Sequence, residues 1–277
     1  MEQRVVIVTG ASSGIGWAVA RWAACKEFRV VLAARREDRL RDLAARIEED
    51  GGTALVVPVD VAKPADQRRL IEETVAAFGR IDVLVNNAGL PLPTPFAESA
   101  PEELRRQWDV NVTTIATLTR LALPYLEQHQ QELHPATVVN IGSGISRFAV
   151  PGMGNYSPTK IAVAGLSEAL RRELAPRGVH VCLVEPGPVA TEFGARAGDK
   201  GVVPPRLVVP AAKAAKAIVR LFDHPQRRIV IPARLGPVLT LAGGLAGAFP
   251  RLVDAVVRRG LHRGRFARHM EAGEQPG

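Results

Sequence analysis

At 277 residues with 47% apolar side chains, the chain can bury a substantial core, and one α/β domain of this length is unexceptional. The net charge of +8 hints at a polyanion, but residues 251 to 270 alone hold six Arg against one Asp, a net of +5. The rest is a weak polyanion binder at best, and no recognition motif accompanies the basic segment, so nucleic acid is not the expected partner. Cys25 and Cys182 lie far apart, without a CxxC or Cys/His cluster, and read as reduced packing residues. That excludes a disulfide framework and gives no metal-ligand set, and it fits a cytoplasmic setting.

Taken in chain order, short β-branched runs alternate with helical apolar spacings of three and four, the pattern of βαβ units and a parallel sheet. The first strand is expected at 4–9. Its apolar run from Val5 to Val8 starts so close to Met1 that removing a leader peptide would destroy the strand. Further strands are expected at 28–34, 53–59, 81–86, 136–142, 179–185 and 228–232, with helices at 14–25, 37–50, 64–78, 101–130, 156–175 and 211–222. Right-handed crossovers then place helices on both faces of a doubly wound, seven-stranded parallel sheet of Rossmann type. Residues 1–234 are expected to form one domain, and 235–277 a C-terminal helical extension of it.

Between the first strand and first helix lies Thr9-Gly10-Ala11-Ser12-Ser13-Gly14-Ile15-Gly16. Bare backbone amides and a helix N-terminus at that place can approach a pyrophosphate. Further on, Tyr156-Ser157-Pro158-Thr159-Lys160 sets a phenol and an ammonium four residues apart, with Ser143 thirteen residues upstream. On a helix the two share a face, one turn apart, so both can act on one substrate oxygen. A tyrosine near pKa 10 is a poor base at neutral pH. A cation about 5 Å away at an effective dielectric of about 20 supplies roughly 3 kcal/mol, or about two pKa units.

The GxxxGxG turn, Asn86-Asn87-Ala88-Gly89, Asn111, Ser143, the YxxxK pair and Pro186-Gly187 follow one another in an order and spacing that resembles the short-chain dehydrogenase/reductase family over residues 4 to 232. The resemblance implies an NAD(P)-dependent oxidoreductase. Tyr156 would be the general acid/base, Lys160 would hold the nicotinamide ribose and lower the tyrosine pKa, Ser143 would bind the substrate oxygen, and Asn111 would anchor a water of the proton relay. An Asn inside a long helical pattern can also face solvent or bond locally.

The same resemblance assigns cofactor contacts to Gly10, Ser12, Ser13, Gly14, Ile15 and Gly16, and to Asn87, Ala88 and Gly89. Asp60 and Val61 would meet the adenine, although Asp60 can also cap the next helix. Pro186, Gly187, Val189 and Thr191 would meet the nicotinamide carboxamide, ahead of a Gly/Pro-rich stretch at 194–210 that reads as a lid or a connector. Tyr156 and Lys160 serve the cofactor as well as the reaction.

The second expected strand runs into Arg35-Arg36 with no carboxylate at its end. A carboxylate there accepts from a ribose 2′-hydroxyl, whereas a guanidinium fork pairs with a 2′-phosphate. This favours NADP (NADPH) over NAD, the alternative being a solvated cluster balanced by Glu37 and Asp38. Around the expected nicotinamide site lie Leu90, Leu92, Phe96, Ile145, Phe148, Val150, Met153 and Phe193, with Arg147 the exception among them. Of these, Ile145, Phe148, Met153 and Phe193 join Ser143 as the substrate-binding set, and an apolar wall favours a hydrophobic ketone, aldehyde or secondary alcohol.

Leu235 to Pro250 is uncharged but short of the roughly twenty residues a membrane-spanning helix needs. Beyond it, Leu252, Val253, Val256, Val257 and Leu261 fall on one side of a helical pattern whose other faces carry Arg. Such a pattern packs against a subunit or the core, or contacts a membrane surface through 250–270. The family resemblance implies a homodimer or homotetramer through the helices at 101–130 and 156–175. A nucleotide-sensing protein of the same fold without turnover, and a peripheral membrane reductase of lipid-like carbonyls, are the rival readings.

Overall fold

The computed structural model describes residues 3–91, 96–128, 134–149, 155–193, 208–251 and 254–255. Seven parallel strands form one sheet: β1 (Val5–Thr9), β2 (Arg29–Ala34), β3 (Thr53–Pro58), β4 (Val83–Asn86), β5 (Ala136–Ile141), β6 (Val179–Pro186) and β9 (Arg228–Ile231). Their spatial order is β3-β2-β1-β4-β5-β6-β9, which reverses direction between β1 and β4. In open α/β sheets, that reversal opens a crevice beyond the carboxyl ends of the strands, where ligands bind. Two short strands, β7 (Val189–Ala190) and β8 (Val209–Pro210), pair separately above it.

The strands are mostly apolar and rich in β-branched residues because both faces of the sheet are covered. Val6 and Val8 of β1 enter one core with Val30 and Leu32, beneath α1 (Gly14–Ala24), α2 (Glu37–Glu49) and α7 (Ala211–Val219). Val5 and Ile7 enter the other with Val31 and Ala33, beneath α3 (Pro64–Phe78) and α5 (Thr114–Gln128). This alternation along each strand is the period-two pleat acting on an almost wholly apolar sequence. Between β5 and β6 runs α6 (Tyr156–Leu174).

Three sequence expectations need correction. The region 101–130 is not one helix. It divides into α4 (Pro101–Trp108), a π-helical turn at Asp109–Thr113, and α5. Val110, Val112, Thr113 and Thr114 form a β-branched cluster of modest helix propensity. Here the Thr114 hydroxyl donates to the Asp109 carbonyl at 2.8 Å and also to the Val61 carbonyl at 2.8 Å. The region 211–222 is α7 followed by a tighter 3-10 turn at Arg220–Phe222. Cys182 is buried as expected, but Cys25, one residue past α1, is exposed and so lies outside the core.

In the extension, α8 (Gly236–Ala248) packs over the carboxyl end of the sheet through Leu235 and Leu239. No helix among the described residues is long and apolar enough to cross a membrane. Met153, Leu92, Val150, most of the 194–210 stretch and most of the basic segment after Arg251 lie outside the described residues.

Candidate active site

The crevice floor begins where β1 ends. Gly10 and Gly14 have φ of +67° and +59°, backbone conformations that side-chain-bearing residues rarely adopt. At Gly16 the constraint is space: a Cβ would overlap the Gly10 carbonyl and stand 2.5 Å from the Asn87 Nδ2. Thr9 supports this floor, its hydroxyl accepting from the Asn87 and Ala88 amides at 2.9 and 3.0 Å and donating to the Val85 carbonyl at 3.1 Å. The Asn87 Nδ2 donates to the Thr9 carbonyl at 2.8 Å. Ser13 is the N-cap residue of α1 in extended backbone and makes no side-chain cap bond. Ile15 sits beside it, packed against the first core.

At the end of β2, Arg36 folds back over the glycine turn. Its Nε and Nη2 donate to the Ser12 hydroxyl at 3.2 and 3.1 Å, and its Nη1 pairs with Glu192 at 3.0 Å. Arg35 is exposed. The residues thus fit a dinucleotide: bare glycine backbone beside a helix N-terminus, with a guanidinium set against a hydroxyl at one end. Glu192 was not foreseen, since its side chain meets Arg36 across 156 residues of chain.

Asp60 follows β3. Its carboxylate accepts from the Ala62 amide at 3.1 Å and from Arg106 Nη2 at 3.1 Å. Burial alone would raise its pKa, but the Ala62 amide, Arg106 and nearby Arg35 hold it below the usual carboxylate range. Asp60 does not cap α3, whose N-cap residue is Lys63. Val61 is buried, and its carbonyl accepts from Gln67 and Thr114.

Ser143, Tyr156 and Lys160 come together where β5 ends and α6 begins. Tyr156 opens α6 with its phenol beside the Ser143 side chain, which stands just beyond β5. Burial raises the Tyr156 phenol to about 12, partly offset by the neighbouring Ser143 hydroxyl. Lys160, one turn on and 4% exposed, donates to the Ile141 carbonyl at 2.9 Å, and its Nζ is 5.8 Å from the Tyr156 ring centroid. Burial pulls its ammonium down to about 8.

Asn111 sits in the π turn, fully buried, so it faces the interior and not solvent. Its Oδ1 accepts from the Leu90 amide at 2.8 Å, while its Nδ2 donates to the Leu90 carbonyl and the Thr159 hydroxyl, both at 3.1 Å. Gly89 borders both groups: a Cβ there would stand 3.5 Å from Asn111 Oδ1 and 3.8 Å from Lys160 Nζ.

Beyond β6, Pro186 pairs with Ile231 and the Gly187 amide donates to the Ile231 carbonyl at 2.7 Å. The chain then rises through Val189 to Thr191, whose methyl group lies 3.0 Å from where a Gly14 Cβ would be. Phe193 places its ring centroid 6.0 Å from that of Tyr156. Ile145 and Phe148 are half-buried on the Ser143 turn.

Arg147, the apparent charge in that wall, leaves it. Its Nε and Nη2 donate to Glu185 Oε2 at 3.0 and 2.7 Å, and its Nη1 meets the Thr240 hydroxyl of α8. Glu185 is fully buried at the end of β6, and its second oxygen faces Arg228 at 3.7 Å. Sequence reading had no route to this tie, because its members are 38 and 93 positions apart. Among the described residues no group of three His, Cys, Asp or Glu is placed to hold a metal.

A dinucleotide cradle facing a Ser, Tyr and Lys set across a parallel sheet defines an oxidoreductase class. The chain belongs to the short-chain dehydrogenase family, whose sequence profile matches residues 4–200. It is similar to the uncharacterized oxidoreductase YxnA of Bacillus subtilis (strain 168), 32% identical over 275 residues, covering 96% of this chain and 75% of that protein. The 11-beta-hydroxysteroid dehydrogenase 1A of Arabidopsis thaliana is 35% identical over 246 residues, covering 83% and 68% of the two. A short-chain dehydrogenase from Sphingobium yanoikuyae, solved in complex with NADPH, superposes with a TM-score of 0.75 at 31% identity, covering 89% of this chain and 96% of that one.

Proposed function

We propose that residues 1–234 form an NADP-dependent reductase of apolar ketones or aldehydes, also able to oxidise the matching secondary alcohols, with 235–277 as an extension of that domain. The observation that carries this reading is the Tyr156 phenol set beside the Ser143 hydroxyl, with Lys160 one turn away. Bound NADPH supplies the hydride. As the carbonyl carbon gains it, negative charge gathers on the carbonyl oxygen, where Ser143 donates a hydrogen bond and Tyr156 transfers its phenolic proton, leaving the alcohol. A phenol raised to about 12 holds that proton at neutral pH, as an acid must. In the reverse direction Tyr156 has to lose it first, so Lys160 and the positive charge of the oxidised cofactor would lower its pKa.

NADP is favoured by Arg36, set against Ser12 at the ribose end of the cradle, and by the NADPH bound to the Sphingobium relative. Gly89, Asn87 and Ala88 would line the cofactor, and Asn111 would order the proton path beyond Lys160. An apolar substrate is favoured because Arg147 is drawn away to Glu185 while Phe193, Ile145 and Phe148 remain. The Arabidopsis relative is named for a steroid, which is in keeping with that class. We further infer a cytoplasmic homodimer or homotetramer.

Following NADPH absorbance over a panel of ketones tests the reading. Turnover on apolar ketones, at least tenfold better with NADPH than NADH, is expected. Tyr156→Phe should lower it by a factor of about 10²–10⁴ while leaving NADPH affinity within about threefold. Turnover confined to small charged carbonyls would overturn the substrate class. No turnover with tight NADPH binding would favour a sensor, and a full rate in Tyr156→Phe would overturn the mechanism.

A further inference from the structure

Helix α8 has two unlike sides. On one, Leu239 covers Gly144 and Gly243 abuts the Arg147 backbone, so that side is packed onto the turn that carries Ser143. On the other, Val238, Leu241 and Leu245 recur at spacings of three and four and are 61%, 64% and 41% exposed. Phe249, just past the helix end, is also 57% exposed. An uninterrupted apolar stripe in water marks a contact surface.

We propose that this outward stripe of α8 docks onto an anionic phospholipid bilayer. The choice of occupant rests on charge. Gly236 to Pro250 carries no charged residue, and the chain then holds six Arg against one Asp from 251 to 268, beginning with exposed Arg251. A second copy on the stripe would join two chains that each carry this net positive run, and like charges disfavour that pairing. An anionic surface turns the same charges into attraction, each Arg near it adding about fivefold to partitioning. The uncharged stretch is too short to span, so the helix lies on the bilayer. Because its inner side packs on the Ser143 turn, docking would set the substrate opening at the lipid surface. This last consequence rests on the apolar-substrate reading; the docking does not.

The test is sedimentation of the full-length protein with vesicles of phosphatidylcholine alone or with about one third phosphatidylglycerol. The wild type should partition to the anionic vesicles and far less to the neutral ones. Leu241→Glu/Leu245→Glu should weaken this by about tenfold or more, and the milder Phe249→Ser should act in the same direction. Both variants should keep the far-ultraviolet circular dichroism of the wild type and its NADPH turnover on a water-soluble ketone. The proposal is overturned if the wild type does not partition, if the α8 variants partition as well as the wild type, or if they convert a lipid-free dimer to a monomer. Failure of the ketone panel would sink the proposed reaction and leave the partitioning result standing.

Discussion

The two walls of the crevice are held in different ways. On the glycine-turn side, Gly10, Gly14 and Gly16 are fixed by backbone geometry and by space that a single methyl group would fill. On the proposed substrate side, the Ser143 turn is held by a side-chain tie from Arg147 to Glu185 and Thr240, reaching across the sheet end into α8. A wall shaped by backbone tolerates little change in size. One held by charge tolerates little change in electrostatics, and its supports can come from anywhere in the chain.

Substitutions can break this contrast from either side. The largest effect should come from Arg147→Met, which leaves the buried Glu185 carboxylate facing Arg228 at 3.7 Å. Breaking a buried pair in this way costs about 3–5 kcal/mol, measurable by urea unfolding. Adding Glu185→Leu should recover most of that stability, since no charge is then stranded. An additive double mutant would mean that the pair does not hold the turn.

Gly16→Ala tests the cofactor wall, where overpacking costs about 1–3 kcal/mol and should fall chiefly on NADPH affinity, read by fluorescence titration. If apolar-ketone KM rose while NADPH affinity held, the division between the walls would be misplaced.

Lys160 lies between them. Burial takes its pKa from 10.5 to about 8. Below about pH 8 both folded and unfolded states carry the charge, and the folded state bears the full cost of burying it. As pH rises toward 10.5 the folded state sheds its proton first, so the unfolded state binds more protons and stability climbs. Lys160→Met should therefore be more stable than the wild type by about 2–3 kcal/mol at pH 7, with the gain shrinking above pH 8. A gain independent of pH would argue against a buried ammonium.

The sheet was legible because strands buried on both faces read as continuous β-branched runs, and all seven fall where the pattern sets them. The glycine turn and the Tyr156/Lys160 spacing were legible because each is local: one turn, or one helical repeat. What escaped is either non-local or a local exception. Nothing in the sequence around Arg147 points to Glu185, and nothing near Arg36 points to Glu192. The π turn escaped because helical periodicity runs nearly unbroken through 101–128, and inserting one extra residue per turn changes which side faces inward without changing composition. That is also why solvent and interior remained alternative destinations for Asn111.

Asn111 treats Leu90 as a neighbouring strand would, taking its amide hydrogen and giving one to its carbonyl through a single carboxamide. One side chain thus stands in for a rung of ladder where the sheet has already ended. In hydrogen–deuterium exchange the Leu90 amide should therefore stay slow beside faster loop neighbours, and Asn111→Ala should release it. The rim of the crevice is, at that point, as firmly paired as its floor.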